Sequence, residues 1–245
     1  MINYDPDKNA IFGPCNLNFE KKYKCALMIF DDEVWEDYVL RDVRISSFSV
    51  KNSRGRVFDT YRSVVFDGED VLLISPNVGG AASAVDLELL IASGVEKVVA
   101  FGTCGAMDKE IAKNTIIIPE GAIREEGVSY HYLPPGEEVA QSRASVETLM
   151  AVFSENDVAY RVGKTWTTDA VYRETAKKMK IMKERGCIVV DMEMASLFAV
   201  AEFRGFRFAG FLISDDNIDG RCATEDNSRD SMTIFRTALC VVTRL

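Results

Sequence analysis

Between Cys187 and Gly220 the chain reads CIVVDMEMASLFAVAEFRGFRFAGFLISDDNIDG, and no other stretch restricts the fold as tightly. Ile188-Val189-Val190 is a short apolar run, Met194 to Phe203 carries apolar residues at helical spacing, and Phe206 to Ile213 is again mostly apolar. A strand, a helix and a second strand in this order predict a parallel sheet covered by helices. Two carboxylate pairs, Asp191/Glu193 and Asp215/Asp216, fall at the carboxyl ends of the two strands. Open α/β sheets hold their ligands at that edge.

The rest of the chain repeats the alternation. Cys25 to Phe30 reads as a buried strand, followed by Asp31-Asp32-Glu33 and an amphipathic helix to about Leu40. Val57 to Phe66 and Val71 to Ser75 flank Asp67-Gly68, a hairpin signal. Asn77-Val78-Gly79-Gly80 leads into a helix over Ala81 to Ala92, closed by Gly94. Lys97 to Phe101 is a strand ending in Gly102-Thr103-Cys104-Gly105, and strand pieces follow at Thr115 to Pro119 and Ala122-Ile123. Glu125 to Val139 is expected to be a long loop or lid. A helix over Ala144 to Asn156, a strand over Tyr160 to Thr167, a helix over Arg173 to Arg185 and a last helix over Asn227 to Val242 complete the reading. The expected fold is α/β, one domain over residues 1–245, with a mixed, mostly parallel central sheet flanked by helices and residues 1–23 as an irregular arm.

Composition narrows the partners. With 47% hydrophobic and 27% charged residues the chain suits a globular protein with a sizeable core. A net charge of −9 argues against nucleic acid or an anionic membrane as partner. No signal peptide or spanning segment is apparent, so a cytoplasmic location is expected. Six scattered cysteines and the lone His131 give no zinc-ligand spacing, so no metal is expected.

Three constellations bear chemistry. The glycine turns at Gly79 and at Gly102 to Gly105 follow strands, where backbone N–H groups can approach an anion, or where glycine simply allows a tight turn. Asp191-Met192-Glu193 offers carboxylates for a pair of sugar hydroxyls, or acids that complement a helix N-terminus. Asp215 follows Ile213-Ser214 and suits proton donation to a leaving group, or a solvated loop. His131 lies in the loop as a supporting residue.

Phe101-Gly102-Thr103-Cys104-Gly105-Ala106, Val190-Asp191-Met192-Glu193-Met194-Ala195 and Ile213-Ser214-Asp215, in this order and spacing, resemble the purine nucleoside/uridine phosphorylase family, which includes the methylthioadenosine and AMP nucleosidases. Asn77 to Gly80 and Thr168-Asp169-Ala170-Val171-Tyr172 resemble two further segments of that family, and the likeness runs from about Lys24 to the end. It implies cleavage of a nucleoside's C1′–N bond without a cofactor, phosphate serving as co-substrate in a phosphorylase. Glu193 would hold the ribose hydroxyls with Met192 under the sugar, and Asp191 would support them. Asp215 would protonate a purine base seated near Val171 and Tyr172, while Thr103 and Gly79 would lie near the nucleophile.

Two of the cations that the family uses for phosphate have no counterpart here. Ile29-Phe30-Asp31-Asp32-Glu33 replaces an arginine-bearing turn, and Ala100 stands at a second arginine position. Arg56, in Arg56-Val57-Phe58-Asp59-Thr60, matches the third, which a neighbouring subunit lends, and so implies a homodimer or hexamer. Phe30 to Val34 instead resembles the nucleosidases and places Glu33 at their water-activating acid. Arg124, Arg173 and Lys177 are candidate replacements for the missing cations. Thr175-Ala176-Lys177 stands where the uridine enzymes carry Gln-x-Arg, so a purine is favoured. Phosphorolysis, hydrolysis through Glu33 and binding without catalysis all remain open, with phosphorolysis leading.

Overall fold

The structure, a computed structural model, describes residues 4–52, 57–217 and 230–245, with the backbone alone over 51–52, 57–60 and 216–217. In chain order the elements are β1 (Leu17–Asn18), β2 (Cys25–Ile29), a π-helical turn (Val34–Val39), β3 (Ser46–Asn52), β4 (Val57–Phe66), β5 (Glu69–Ile74) and α1 (Gly80–Ala92). They continue as β6 (Lys97–Ala106), β7 (Ile116–Glu125), α2 (Ser129–Tyr132), β8 (Glu138–Ala140), α3 (Arg143–Glu155) and β9 (Tyr160–Thr168). A 3-10 turn (Val171–Arg173), α4 (Ala176–Glu184), β10 (Cys187–Asp191), α5 (Met194–Arg204), β11 (Arg207–Asn217) and α6 (Ser231–Arg244) follow.

One mixed sheet runs β1-β3-β4-β5-β2-β6-β10-β9-β7-β11, with β8 on β7. β11 also pairs with β6, so β6, β10, β9, β7 and β11 close into a ring. The apolar runs explain the layering. In β2 every residue is buried, as expected of a parallel strand covered on both faces. Val98 and Ala100 pack toward α1 and α5, while Val99 and Phe101 pack with α3 and α6 on the other face. Period-2 alternation along one strand therefore feeds two cores.

The hairpin between β4 and β5 turns at Asp67 and Gly68, both at positive φ (49° and 80°), as a two-residue turn of this hand requires. Other segments depart from the sequence reading. β3 forms from the polar run Ser46–Asn52 because it is held between β1 and β4. β1 lies within the stretch expected to be irregular. The Glu125–Val139 loop contains α2 and the start of β8, and residues expected to open a helix at Arg173 form a 3-10 turn before α4. The strand–helix–strand unit is also corrected. β10 and β11 are not parallel neighbours: β11 is parallel to β6, and β10 is antiparallel to it.

That correction locates the cavity. β2 pairs with β6 from Lys97 to Phe101, and β10 pairs with β6 only at Gly105 and Ala106. Among the described residues, Gly102 to Cys104 have no strand partner between them, and β6 is flanked there by β11 alone. This is a topological switch point, where a sheet opens a crevice. Phe30 bends into it after β2, its N–H donating to the Phe101 carbonyl at 2.8 Å. A Cβ on Gly102 would sit 2.6 Å from the Phe30 Cβ, so only glycine lets that ring in. Gly102→Ala is expected to cost about 1–3 kcal/mol through this overlap, read as a lower urea midpoint. An unchanged midpoint would show that Phe30 is not held by Gly102.

Candidate functional site

A cavity of about 240 Å³ opens at the split edge of β6, lined by Phe30, Val78, Thr103, Cys104, Gly105, Val171, Glu174, Val190, Asp191, Met192, Glu193 and Asp215. Strand register brings its acids together. Val190 lies opposite Gly105 across the antiparallel β10–β6 pair, so Asp191 follows beside Cys104. On the other edge Ser214 pairs with Cys104 and Asp216 with Gly105, leaving Asp215 as the extra residue of a bulge. A bulge re-aims a side chain, and here it turns Asp215 into the cavity.

Asp191 is the anchor. It is buried, and its Oδ1 accepts from the Thr165 and Thr167 hydroxyls at 2.8 and 2.7 Å. Its Oδ2 accepts from the backbone N–H groups of Glu193 and Met194 at 2.7 and 2.6 Å, capping α5. Burial pushes this carboxyl up, and the donors around it pull it back. Glu193 is 7% exposed, and its Oε1 accepts from the Gly79 N–H at 2.7 Å. Burial first, then the neighbouring Asp191 charge, push Glu193 up to about 7. Asp191 is the member of the pair with more donors, four to the one that Gly79 gives Glu193. Gly79 presents that N–H from φ 105°, a conformation open to glycine.

Asp215 is partly exposed and pairs with the Lys113 ammonium at 3.1 Å. Thr103 and Met192 line the cavity beside these acids, and Val171 forms part of the far wall. The cavity therefore gathers Thr103, Val171, Asp191, Met192, Glu193 and Asp215, with Gly79 behind Glu193. Tyr172 is not among them: it is 97% exposed on the 3-10 turn. His131 is exposed on α2 and lies outside the wall. Glu33 is exposed and accepts from the Ser231 hydroxyl at 3.0 Å, away from the wall, while Asp31 is the buried acid of that turn and caps it at Val34. Arg56 lies outside the described residues.

The candidate replacement cations do not line the cavity either. Arg124 is buried and bonds the Ser129 hydroxyl and the Pro134 carbonyl, while Arg173 and Lys177 are exposed. Ala100 is fully buried in the core under α1. Trp166 is core as well, its ring N–H donating to Glu125 at 2.8 Å. The wall carries four acids and, among the described residues, no lysine or arginine. No group of three or more His, Cys, Asp or Glu among the described residues has metal-binding geometry.

Sequence reasoning missed Phe30, Val78 and Glu174. Phe30 and Val78 each follow a strand end, a signal that was legible. Glu174 is placed by a turn that no periodicity announces, and burial raises its carboxyl.

A family profile described as the phosphorylase superfamily matches residues 27–245. The chain is 28% identical over 153 residues to a guanosine phosphorylase of Halorubrum lacusprofundi, covering 62% of this chain. That match spans 64% of the relative's length, just under two thirds. Among solved structures, a uridine phosphorylase from Vibrio fischeri superposes with a TM-score of 0.74 at 19% identity, over 91% of this chain and 92% of that one. An AMP nucleosidase from Bacteroides thetaiotaomicron gives 0.70 at 20% identity, over 91% and 88%. At such identities these two share the fold with this chain and carry nothing finer.

The raised Glu193 carboxyl predicts a pH-dependent stability. A buried acid titrating at about 7 folds most favourably when protonated. Its contribution is full below about 4.5 and is lost as pH rises through about 7, a difference of roughly 3 kcal/mol. Glu193→Gln keeps the shape and removes the charge. It is expected to match the parent near pH 4 and to melt about 6–12 °C higher at pH 8. Equal melting curves at both pH values would show that Glu193 is not desolvated in solution.

Proposed function

The chain belongs to the phosphorylase superfamily, and from that premise we propose that it cleaves the N-glycosidic bond of a purine nucleoside, by phosphorolysis to the free base and ribose 1-phosphate. One observation carries the reading: Glu193, fixed by the Gly79 N–H, lies with Met192 and Asp215 in one cavity at the split of β6. A carboxylate has lone pairs for two vicinal hydroxyls beyond the bond to Gly79, so Glu193 clamps the ribose. Met192 packs under the sugar. Asp215, turned inward by the bulge, faces N7 of the departing base and supplies its proton. The Asp191–Glu193 pair also favours the positive charge that develops on the sugar as the bond lengthens, an electrostatic effect already in place before reaction. The guanosine activity named for the Halorubrum relative agrees with a purine.

A second reading is favoured by the same wall. A wall of four acids with no lysine or arginine among its described residues, the Lys113 ammonium lying against Asp215, holds a phosphate dianion poorly, whereas neutral water meets no such penalty. In that reading the enzyme is a nucleosidase, with Glu33 leaving Ser231 to activate water. If neither reaction runs, the chain is a nucleoside-binding protein. For phosphorolysis, Arg56 of a neighbouring subunit supplies the cation, which makes the working unit a homodimer or a hexamer. Scattering mass is expected at two or more chains, and a monomer would remove Arg56 from the site.

The deciding experiment follows base and sugar from inosine, guanosine, adenosine and uridine, with and without phosphate. Ribose 1-phosphate formed only with phosphate is the expected result, strongest with the purines. Free ribose in phosphate-free buffer would replace phosphorolysis by hydrolysis. Asp215→Asn is expected to slow purine cleavage by about 10²-fold. An unaltered rate would take Asp215 out of the mechanism.

A further inference from the structure

Behind the cavity wall lies a buried carboxylate that touches no part of the cavity. Glu126 directly follows β7 and is 5% exposed. Its Oε2 accepts from the Val128 and Ser129 backbone N–H groups at 2.7 and 3.0 Å and from the Ser196 hydroxyl at 2.6 Å. Its Oε1 accepts from the Ser129 hydroxyl, to which Arg124 Nε also donates at 2.8 Å. Desolvating a carboxylate is costly unless its lone pairs are filled. Here they are filled by Val128 and Ser129 and by Ser196 of α5, and the Ser196 bond forms only while the α2 segment and α5 hold one mutual position.

The contacts lead to both walls of the cavity. Ser196 is fully buried on α5, one turn beyond Glu193. Gly80 opens α1 so close to it that a Cβ there would lie 2.3 Å from the Ser196 hydroxyl. Gly79, the residue before it, donates to Glu193. On the other side the Gly127 N–H donates to Asp169 at 2.9 Å, at the start of the turn that carries Val171 and Glu174.

We infer that Glu126 is a positioning residue: by bonding Ser196 it sets the rotation of the first turn of α5 against α1, and so holds the Glu193 carboxylate on the Gly79 N–H. It does not touch the ligand. Its consequence for catalysis rests on the proposed role of Glu193 as the sugar clamp, while its consequence for Glu193 itself does not. Displacing a clamp by about 1 Å is enough to lower turnover strongly.

The test is a cycle of Ser196→Ala and Glu126→Gln, each alone and combined with Glu193→Gln, read in two ways. Kinetically, Ser196→Ala is expected to lower kcat/KM for the preferred nucleoside about 10-fold, mostly through KM, with no further loss once Glu193 is Gln. Thermodynamically, the pH at which the stability gap between parent and Glu193→Gln stops growing is expected to move above its starting value of about 7 in the Ser196→Ala background, because a loosened N–H contact no longer favours the anion. This second reading needs no substrate. If it shifts while no nucleoside is cleaved, the functional proposal fails and the positioning role stands. Losses that multiply independently with Glu193→Gln, together with an unmoved pH at which the stability gap levels off, would overturn the inference. Ser196→Ala removes one hydroxyl and keeps its Cβ, so it carries the cycle should Glu126→Gln not fold.

Discussion

Everything at this site depends on the edge of β6 that two strands divide. β2 occupies the first half of that edge and β10 the last two residues. The interval between them, Gly102 to Cys104, is where backbone that would otherwise be covered by a neighbouring strand faces a cavity. The ring formed by β6, β10, β9, β7 and β11 makes this possible. By carrying β10 back in the opposite sense, it brings the carboxyl ends of β10 and β11 to the same place on β6 from opposite edges. Two parallel strands in tandem would put their ends side by side, without a gap between them.

A cluster of acids in such a gap requires internal compensation. Asp191 supplies it: two threonine hydroxyls from β9 and two backbone N–H groups of α5 fill its lone pairs. The helix start is thereby capped and the charge is paired with dipoles rather than with a cation. Glu193 has fewer donors, so the cost of burial falls on it and its proton is held more tightly. One acid is tied into the structure by four hydrogen bonds, and its neighbour is pushed up to about 7. An acidic wall of this kind favours positive charge in the cavity and disfavours negative charge.

Much of this was legible from local pattern. The acids at Asp191, Glu193 and Asp215 stand directly after apolar runs, and a strand end is a position that survives errors in the details of packing. The same holds for Gly79 before α1. Residues read from flexible or polar segments fared differently. Tyr172 sits exposed on a turn, and Glu33 accepts from Ser231 while Asp31, two residues earlier, takes the buried capping position. Arg124 looked like an available cation, yet its guanidinium is spent on the α2 segment. Nothing local distinguishes these outcomes, since each depends on which partner the fold brings within bonding distance.

By itself, the sequence determined the alternation of strands and helices, the two-sided burial of the central strands and the acids at the strand ends. Apolar periodicity and turn chemistry act over a few residues and need no tertiary partner to be read. Only the tertiary structure decided that β10 runs against β6, that a bulge turns Asp215 inward, and that Glu126, far from the cavity motifs in sequence, stands behind Glu193. Strand sense, register and long-range hydrogen bonds are pair properties, set by which surfaces meet when the chain closes.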